Sequence, residues 1–284
     1  MFPPALAIGP VRIAWYSLLM TGGLLAALLW LAWADPERQR LAGVQSHAES
    51  GRRTLRSQFS RLTAGWPTAL RRAVDDILPL LLIALTVGRA IYVLAQWAYF
   101  REHPLQALHL WDGGLSAHGA LAGFLGVLIW RARRQPSQWA VADRFVPPLL
   151  LLQTAAWLSC WCAGCAYGRT VDIVRWPWLA AFDWPDLYGV FLPRVPVQGM
   201  GVVVSLVLLL VTAWWLGGRS LAPGVRAGAV LFLGALTDAG LQLLRGDETW
   251  LWLGQRAALG ADLLLMTLAG AWFVLAWRGR LAQK

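Results

Sequence analysis

The sequence predicts an all-α polytopic membrane protein with seven transmembrane helices in a single domain, residues 1–284. Hydrophobic residues make up 58% of the chain and charged residues only 14%, which is too apolar for a soluble domain. Apolar runs of about twenty residues, long enough to cross a hydrocarbon core, recur along the chain. The arginines concentrate in alternate connecting segments, as the topology rule for helical membrane proteins requires.

The seven predicted helices are separated by short connections, apart from two longer loops. The third helix is shorter than the others and begins in the loop before it. The first lacks the basic start and the small-residue cleavage site of a secretory leader, so we expect it to remain as a span. The predicted spans lie near 11–33, 77–97, 115–131, 144–165, 198–216, 225–244 and 255–276.

Basic residues orient these spans with the N-terminus outside and the C-terminus inside. In this topology the inside segments carry seventeen Arg and Lys residues and the outside segments carry seven, which satisfies the positive-inside rule. The formal net charge of +10 therefore reflects topology and contact with anionic membrane lipid. We expect no nucleic-acid partner.

Two loops are long enough to have roles of their own. An arginine-rich cytoplasmic loop at about 34–76 contains a polar stretch, 39–72, which fits either a surface amphipathic helix or a disordered segment. In the helical alternative, one face carries Leu55, Phe59 and Leu62. The external loop at about 166–197 contains aromatic residues suited to a lid on the outer leaflet: Trp176, Trp178, Trp184 and Tyr188.

His118 is the candidate catalytic residue with the most informative surroundings. It stands directly before the third apolar run, and a titratable imidazole at the mouth of a span is costly to desolvate. Three neighbouring glycines allow a backbone or a lipid headgroup to approach closely: Gly113, Gly114 and Gly119. The alternative is a structural histidine bonded to a backbone carbonyl at the start of the helix.

The remaining polar residues cluster on the predicted outer side. Such a one-sided set favours a site open to the outer leaflet, because a pore or transporter would need polar residues through the whole thickness. Arg89 and Asp238 lie deeper, and Arg89 is the obvious partner for that buried carboxylate. The outer set comprises Tyr16, Asp112, His118, Arg169, Gln198, Arg245, Asp247 and Glu248. For each arginine the alternative role is to snorkel to the interface or to form an ion pair, as Arg245 could with Asp247 or Glu248.

Three cysteines, Cys160, Cys162 and Cys165, lie at one predicted helix end. They could ligate a metal, form a disulfide, or act as small buried apolar side chains. We favour the last of these, and we predict neither a metal site nor a cofactor. The spacing Gly119-x-x-x-Gly123 is typical of close helix packing.

The order of these motifs resembles the prolipoprotein diacylglyceryl transferases, from about Ala7 to Ala276 without the 39–72 stretch. Family members are seven-span enzymes of the bacterial inner membrane. They move the diacylglyceryl group of phosphatidylglycerol to a lipobox cysteine thiol and release glycerol phosphate. The matching segments are Ala7-Ile8-Gly9-Pro10, Ala14-Trp15-Tyr16, Gly88-Arg89, Asp112-Gly113-Gly114-Leu115-Ser116-Ala117-His118-Gly119, Pro196 with Gln198, and Leu244-Arg245-Gly246-Asp247-Glu248.

This resemblance implies the activity, the partners and the site residues. The partners are phosphatidylglycerol, the lipobox segment of a prolipoprotein and membrane lipid. The implied catalytic residues are His118, Tyr16 and Arg245. The implied substrate-binding residues are Gly113, Gly114, Gly119, Arg89, Arg169, Gln198 and Asp238.

Five positions depart from the family pattern. Trp157 and Asp238 stand where the family has arginines, and Cys160 stands where it has asparagine. Cys165 replaces a glutamate and Gly234 a tyrosine. These departures support a second hypothesis, in which the chain keeps the fold and binds lipid or lipoprotein without catalysing this transfer.

Overall fold

The computed structural model describes residues 5–8, 11–40, 65–109, 114–134, 138–178, 185–216 and 221–282, and they are mostly helical. The helices are α1 Trp15–Trp33, α2 Trp66–Ala95, α3 Trp97–Phe100, α4 Ala117–Arg134, α5 Gln138–Arg144, α6 Val146–Ala163, α7 Val197–Leu210, α8 Val225–Leu244 and α9 Ala257–Ala282. The chain groups into two compact units, residues 27–138 and residues 1–26 with 139–284.

Six of the described helical segments are long and apolar enough to cross a bilayer. They are Trp15–Trp33, Trp66–Ala95, Trp139–Ala163, Val197–Trp214, Val225–Leu244 and Ala257–Gly279. The predicted third span corresponds to α4, whose apolar part, Ala117–Arg131, is shorter than these six. The chain is thus a mainly helical multi-pass membrane protein. That α4 crosses the membrane as a seventh span, and the orientation of the spans, stay predictions.

Several predicted boundaries were wrong. Residues 11–14, assigned to the first span, form strand β2 (Val11–Ala14), which pairs with β1 (Ala5–Ile8) because extended backbone suits the β-branched residues there. The last span is preceded by a second hairpin of β3 (Leu251–Trp252) and β4 (Gln255–Arg256). Helix α2 begins at Trp66, inside the predicted cytoplasmic loop, because Gly65 adopts a left-handed conformation and a proline follows in the first turn. The apolar residues predicted to share a face in that loop lie outside the described residues.

In the unit formed by 27–138, α2 packs against α4 through small residues. A Cβ atom on Gly119 would lie 3.1 Å from the Cα of Gly88, and one on Gly123 would lie 2.9 Å from Val87. Side chains larger than hydrogen would force the two helices apart. The packing role predicted for the Gly119-x-x-x-Gly123 spacing is thereby confirmed.

In the unit formed by 1–26 and 139–284, α6 packs on α7, and α8 packs on α9. Asp143 on α5 fixes the start of α8, because its carboxylate oxygens accept hydrogen bonds from the backbone N–H groups of Gly224 and Ala227, each at 2.8 Å. An anionic cap at a helix N-terminus satisfies exposed donors and interacts favourably with the helix dipole.

Trp157 is buried in this unit, in a hydrophobic cluster with Val197 and Leu241. The indole of Trp157 rests against Gly201 of α7, where an added Cβ would come within 2.3 Å of the ring. Gly201 therefore provides the space that the large side chain needs. Where the resemblance led us to expect an arginine, the structure has a buried hydrophobic contact between two helices.

Candidate functional site

The segment that contains His118 is held by residues in the C-terminal part of α2. The Ser116 N–H donates to the Gly88 carbonyl at 3.1 Å, and the Ser116 hydroxyl accepts a hydrogen bond from the Gly119 N–H, also at 3.1 Å. Ser116 thus caps the N-terminus of α4. His118 lies half-buried in the first turn of that helix, and its backbone position is fixed by these contacts.

Arg89 binds the segment that leads to His118. It is 8% exposed, and its guanidinium donates to four backbone carbonyls at 2.6–3.1 Å: those of Gln106, Ala107, His109 and Gly114. Because each of these acceptors belongs to the protein itself, the described contacts give Arg89 a positioning function. Our prediction that it also binds substrate stays a prediction.

Position 114 requires glycine for two reasons: its backbone conformation and the lack of room for a side chain. Its φ of +76° is costly for other residues, and an added Cβ would lie 2.4 Å from the ring of Tyr92. This glycine lets the chain pass directly over Tyr92 and Arg89 before it turns into α4. Gly113, predicted with it as a substrate-binding residue, lies outside the described residues.

A second group of predicted residues lies in the other unit, where two arginines share one carboxylate. Asp247 accepts hydrogen bonds from Nε and Nη2 of Arg245 at 2.9 and 2.6 Å, and from Nη2 of Arg256 at 2.9 Å. Of the two carboxylates offered as alternative partners of Arg245, the structure pairs it with Asp247. Desolvation lowers the pKa of the Arg256 guanidinium, and the Asp247 carboxylate opposes this effect. Arg256 stays charged at neutral pH.

Arg169 is held beside this cluster by its main chain. Its N–H donates to the Leu244 carbonyl at 2.9 Å, and its carbonyl accepts from the Val195 N–H at 3.1 Å. The side chain of Arg169 is exposed. Arg169 thus lies exposed beside the 244–256 stretch, in which two arginines, Arg245 and Arg256, are balanced by two acidic residues, Asp247 and Glu248.

Arg194 pairs with a different carboxylate. Its guanidinium forms a buried ion pair with Asp186 at 2.7 Å and lies 4.2 Å from the ring centroid of Tyr167. Desolvation and the nearby Asp186 carboxylate raise the pKa of the Tyr167 hydroxyl, so this phenol stays neutral. The pair is a structural support of the loop.

The cysteines correct our preferred interpretation, because Cys160 and Cys165 form a disulfide. Helix α6 ends at Gly164, whose φ of +72° turns the chain back, so that the Cys165 N–H donates to the Cys160 carbonyl at 3.0 Å. Cys162 is a half-buried free thiol. Gln198, a predicted substrate-binding residue, is buried and donates from Nε2 to the Cys165 carbonyl at 3.0 Å.

Tyr16 and Asp238 have contrasting surroundings. Tyr16, in the first turn of α1, is 45% exposed, and its carbonyl accepts a hydrogen bond from the Ser159 hydroxyl at 3.3 Å. Asp238 is half-buried on α8, and a carboxylate oxygen of Asp262 on α9 lies within 4.8 Å of one of its own. The predicted pairing of Asp238 with Arg89 stays a prediction.

Sequence reasoning missed Asp262 and Arg256. Asp262 is fully buried in an apolar helix, and a carboxylate within a span is itself a signal of function. Arg256 was counted among the outside arginines without a role, and its proximity to Asp247 depends on a hairpin that was not predicted.

The chain resembles known transferases over nearly its whole length. The family model described as prolipoprotein diacylglyceryl transferase matches residues 3–277. A phosphatidylglycerol–prolipoprotein diacylglyceryl transferase of Paracidovorax citrulli is 31% identical, over 81% of this chain and 77% of the relative. One of Nitratidesulfovibrio vulgaris is 27% identical, over 98% of this chain and 94% of the relative. One of a Polaromonas species is 28% identical, over 90% and 95%. The chain therefore belongs to the prolipoprotein diacylglyceryl transferase family.

Proposed function

We propose that this protein transfers the diacylglyceryl group of phosphatidylglycerol to a lipobox cysteine thiol. It acts in a bacterial inner membrane, with its N-terminus outside. The observation that carries the proposal is the family match over residues 3–277. Two relatives that overlap 98% and 90% of this chain are named for this reaction.

The reaction needs a base for the acceptor thiol. A cysteine thiol is mostly protonated at neutral pH, whereas the thiolate is the nucleophile. We assign this base to His118, whose imidazole takes the thiol proton. The sulfur then forms a bond to the glycerol carbon that bears the phosphate, the carbon–oxygen bond breaks, and glycerol phosphate leaves with the bonding electrons.

The leaving phosphate needs positive charge. Arg169 and Arg245 are the groups we assign to it, because guanidinium matches phosphate oxygens in both charge and geometry. The exposed side chain of Arg169 supports this assignment. Tyr16 is proposed to donate a hydrogen bond to an ester or phosphate oxygen, which its exposure allows.

The other predicted site residues would act on the substrate through shape and position. Gly113, Gly114 and Gly119 would let the headgroup approach the backbone near His118. Arg89 and Gln198 would hold the segments that border the substrate, as their hydrogen bonds to backbone carbonyls suggest. Asp238 would lie beside the bound lipid, together with Asp262.

A second candidate function is lipid or lipoprotein binding without transfer. The observation that favours it is the loss of polar side chains from the segment in which the family has its signature residues. There, Trp157 is part of a hydrophobic core and Cys160 is disulfide-bonded to Cys165. None of these three side chains presents a cation or a hydrogen-bonding amide to a phosphate.

The test is transfer by purified protein in phosphatidylglycerol vesicles with a lipobox peptide, read from the mass of the peptide. We expect a diacylglyceryl mass gain that His118→Ala abolishes and His103→Ala, at an exposed histidine, leaves intact. Arg169→Gln should slow transfer by roughly 10–100-fold, as loss of a charged hydrogen bond predicts. Arg175→Gln, at another exposed arginine, is its control. Bound phosphatidylglycerol without any mass gain would favour the second candidate.

A further inference from the structure

The Cys160–Cys165 disulfide closes the turn that leads from α6 to Arg169. Helix α6 ends at the cap residue Gly164, so Cys165 is the first residue beyond it. Two contacts fix this residue in place: the disulfide ties its side chain to α6, and its carbonyl accepts a hydrogen bond from Gln198 Nε2 on α7 at 3.0 Å. The disulfide therefore lies where the chain leaves the helix, shortly before Arg169.

Ala166 follows in a backbone conformation that alanine rarely adopts. Its φ is +53°, and the residue is buried. A left-handed backbone is unfavourable for a residue with a Cβ atom, so it persists only where the surrounding contacts over-determine it. The disulfide at the preceding residue is a covalent constraint of this kind. Releasing that constraint would let the turn relax.

The segment after this turn is paired with two other parts of the chain. Antiparallel bridges join Gly168 to Arg245 and Thr170 to Arg194. The residue between them, Arg169, takes its position from both bridges, and its side chain is exposed. Whatever holds this segment in place therefore decides which space the Arg169 guanidinium can reach.

We propose that Cys160 and Cys165 are positioning residues: their disulfide holds the segment that carries Arg169 and so directs its guanidinium to the leaving phosphate. This inference rests on the proposed function, in which Arg169 binds that phosphate. Reduction by a dithiol adds two electrons and two protons to the disulfide, leaves two cysteine thiols and oxidises the reagent to its own disulfide. The turn at Ala166 then relaxes and Arg169 loses its fixed position. The predicted orientation places this loop on the outer, oxidising side, where such a bond persists.

Amide hydrogen exchange in lipid nanodiscs tests the tether without any substrate. The N–H groups of Arg169 and Gly246 report it, because each donates a 2.9 Å hydrogen bond across the bridge between their two segments. Both should exchange roughly tenfold faster in the double variant Cys160→Ser/Cys165→Ser than in the oxidised wild type. Dithiothreitol should produce the same increase in the wild type, and reoxidation should reverse it. The matched control is Cys162→Ser, at the free, half-buried thiol, which should exchange as the wild type does.

The transfer assay tests whether the tether acts through Arg169. The double variant should lose roughly tenfold in kcat, while KM for phosphatidylglycerol changes less than about twofold, because the charge on the leaving phosphate develops in the transition state. In an Arg169→Gln background, removing the disulfide should slow transfer by less than about twofold, because the positioned group is already absent. A disulfide that only stabilised the fold would cost the same factor in both backgrounds.

Three results would overturn the proposal. They are unchanged exchange of the two reporter N–H groups, transfer by the double variant at the wild-type rate, and equal losses with and without Arg169. Absence of transfer by the oxidised wild type would refute the proposed function, and with it the role at a phosphate. The exchange rates would then still decide whether the disulfide holds the segment.

Discussion

Replacing Asp247 by asparagine tests how far two guanidinium groups depend on one carboxylate. The wild-type side chain accepts three charge-assisted hydrogen bonds, at 2.6, 2.9 and 2.9 Å. Asparagine keeps a single oxygen acceptor and turns an amide donor toward a cation. Arg245 and Arg256 would then lie close together without the carboxylate that neutralises them.

The structure sets the magnitude of this effect between two limits. Removing one partner of a buried ion pair costs about 3–5 kcal/mol, because it leaves a desolvated charge. An exposed pair contributes about 0–1 kcal/mol. The side chains of Arg245, Asp247 and Arg256 are 20%, 14% and 16% exposed. We therefore expect Asp247→Asn to lower the free energy of unfolding by about 3 kcal/mol, at the low end of the buried range.

The assay is SDS-induced unfolding in mixed micelles, followed by far-UV circular dichroism. The matched control is Asp75→Asn, because Asp75 pairs with Arg71 at 3.9 Å while both side chains are more than two-thirds exposed. That control should change stability by less than about 0.5 kcal/mol. A loss for Asp247→Asn within 0.5 kcal/mol of the control would refute our account of the cluster. Adding Arg256→Gln to Asp247→Asn should recover part of the loss, because one of the uncompensated charges is removed.

Three further predictions follow from single contacts. Gly114→Ala should destabilise the protein by about 1–3 kcal/mol through its positive φ, whereas Gly126→Ala, at an open site, should not; equal effects in SDS unfolding would contradict this. Thiol titration of the denatured protein should find one thiol without reductant and three after reduction, because Cys160 and Cys165 are paired; three thiols without reductant would show that the disulfide is absent. Asp143→Ala should cost about 1–2 kcal/mol by uncapping α8, and a change below 0.3 kcal/mol would contradict that role.

Sequence alone identified features that depend on neighbours along the chain. Apolar runs in the sequence located the six candidate spans of the described residues, because length and hydropathy are local properties. The small residues Gly119 and Gly123 predicted close packing, and the contact with α2 confirmed it. Arg245 and Asp247 are two residues apart, so their pairing could be anticipated.

Features that depend on where an element ends could not be predicted in this way. The disulfide forms because α6 stops at Gly164, so that Cys165 lies outside the helix, whereas the predicted span 144–165 had placed both cysteines within one helix. Arg256 reaches Asp247 because a hairpin turns the chain back before α9. Asp262 was overlooked because it is the single charge of residues 257–277, the strongly apolar part of α9, where a hydropathy average conceals it.

The most direct test of the central claim is to measure both products of one reaction. With wild-type protein, phosphatidylglycerol and a lipobox peptide, the account predicts one glycerol phosphate released for each diacylglyceryl thioether formed. A folded protein that retains phosphatidylglycerol yet yields neither product would contradict it, as would glycerol phosphate released without any thioether.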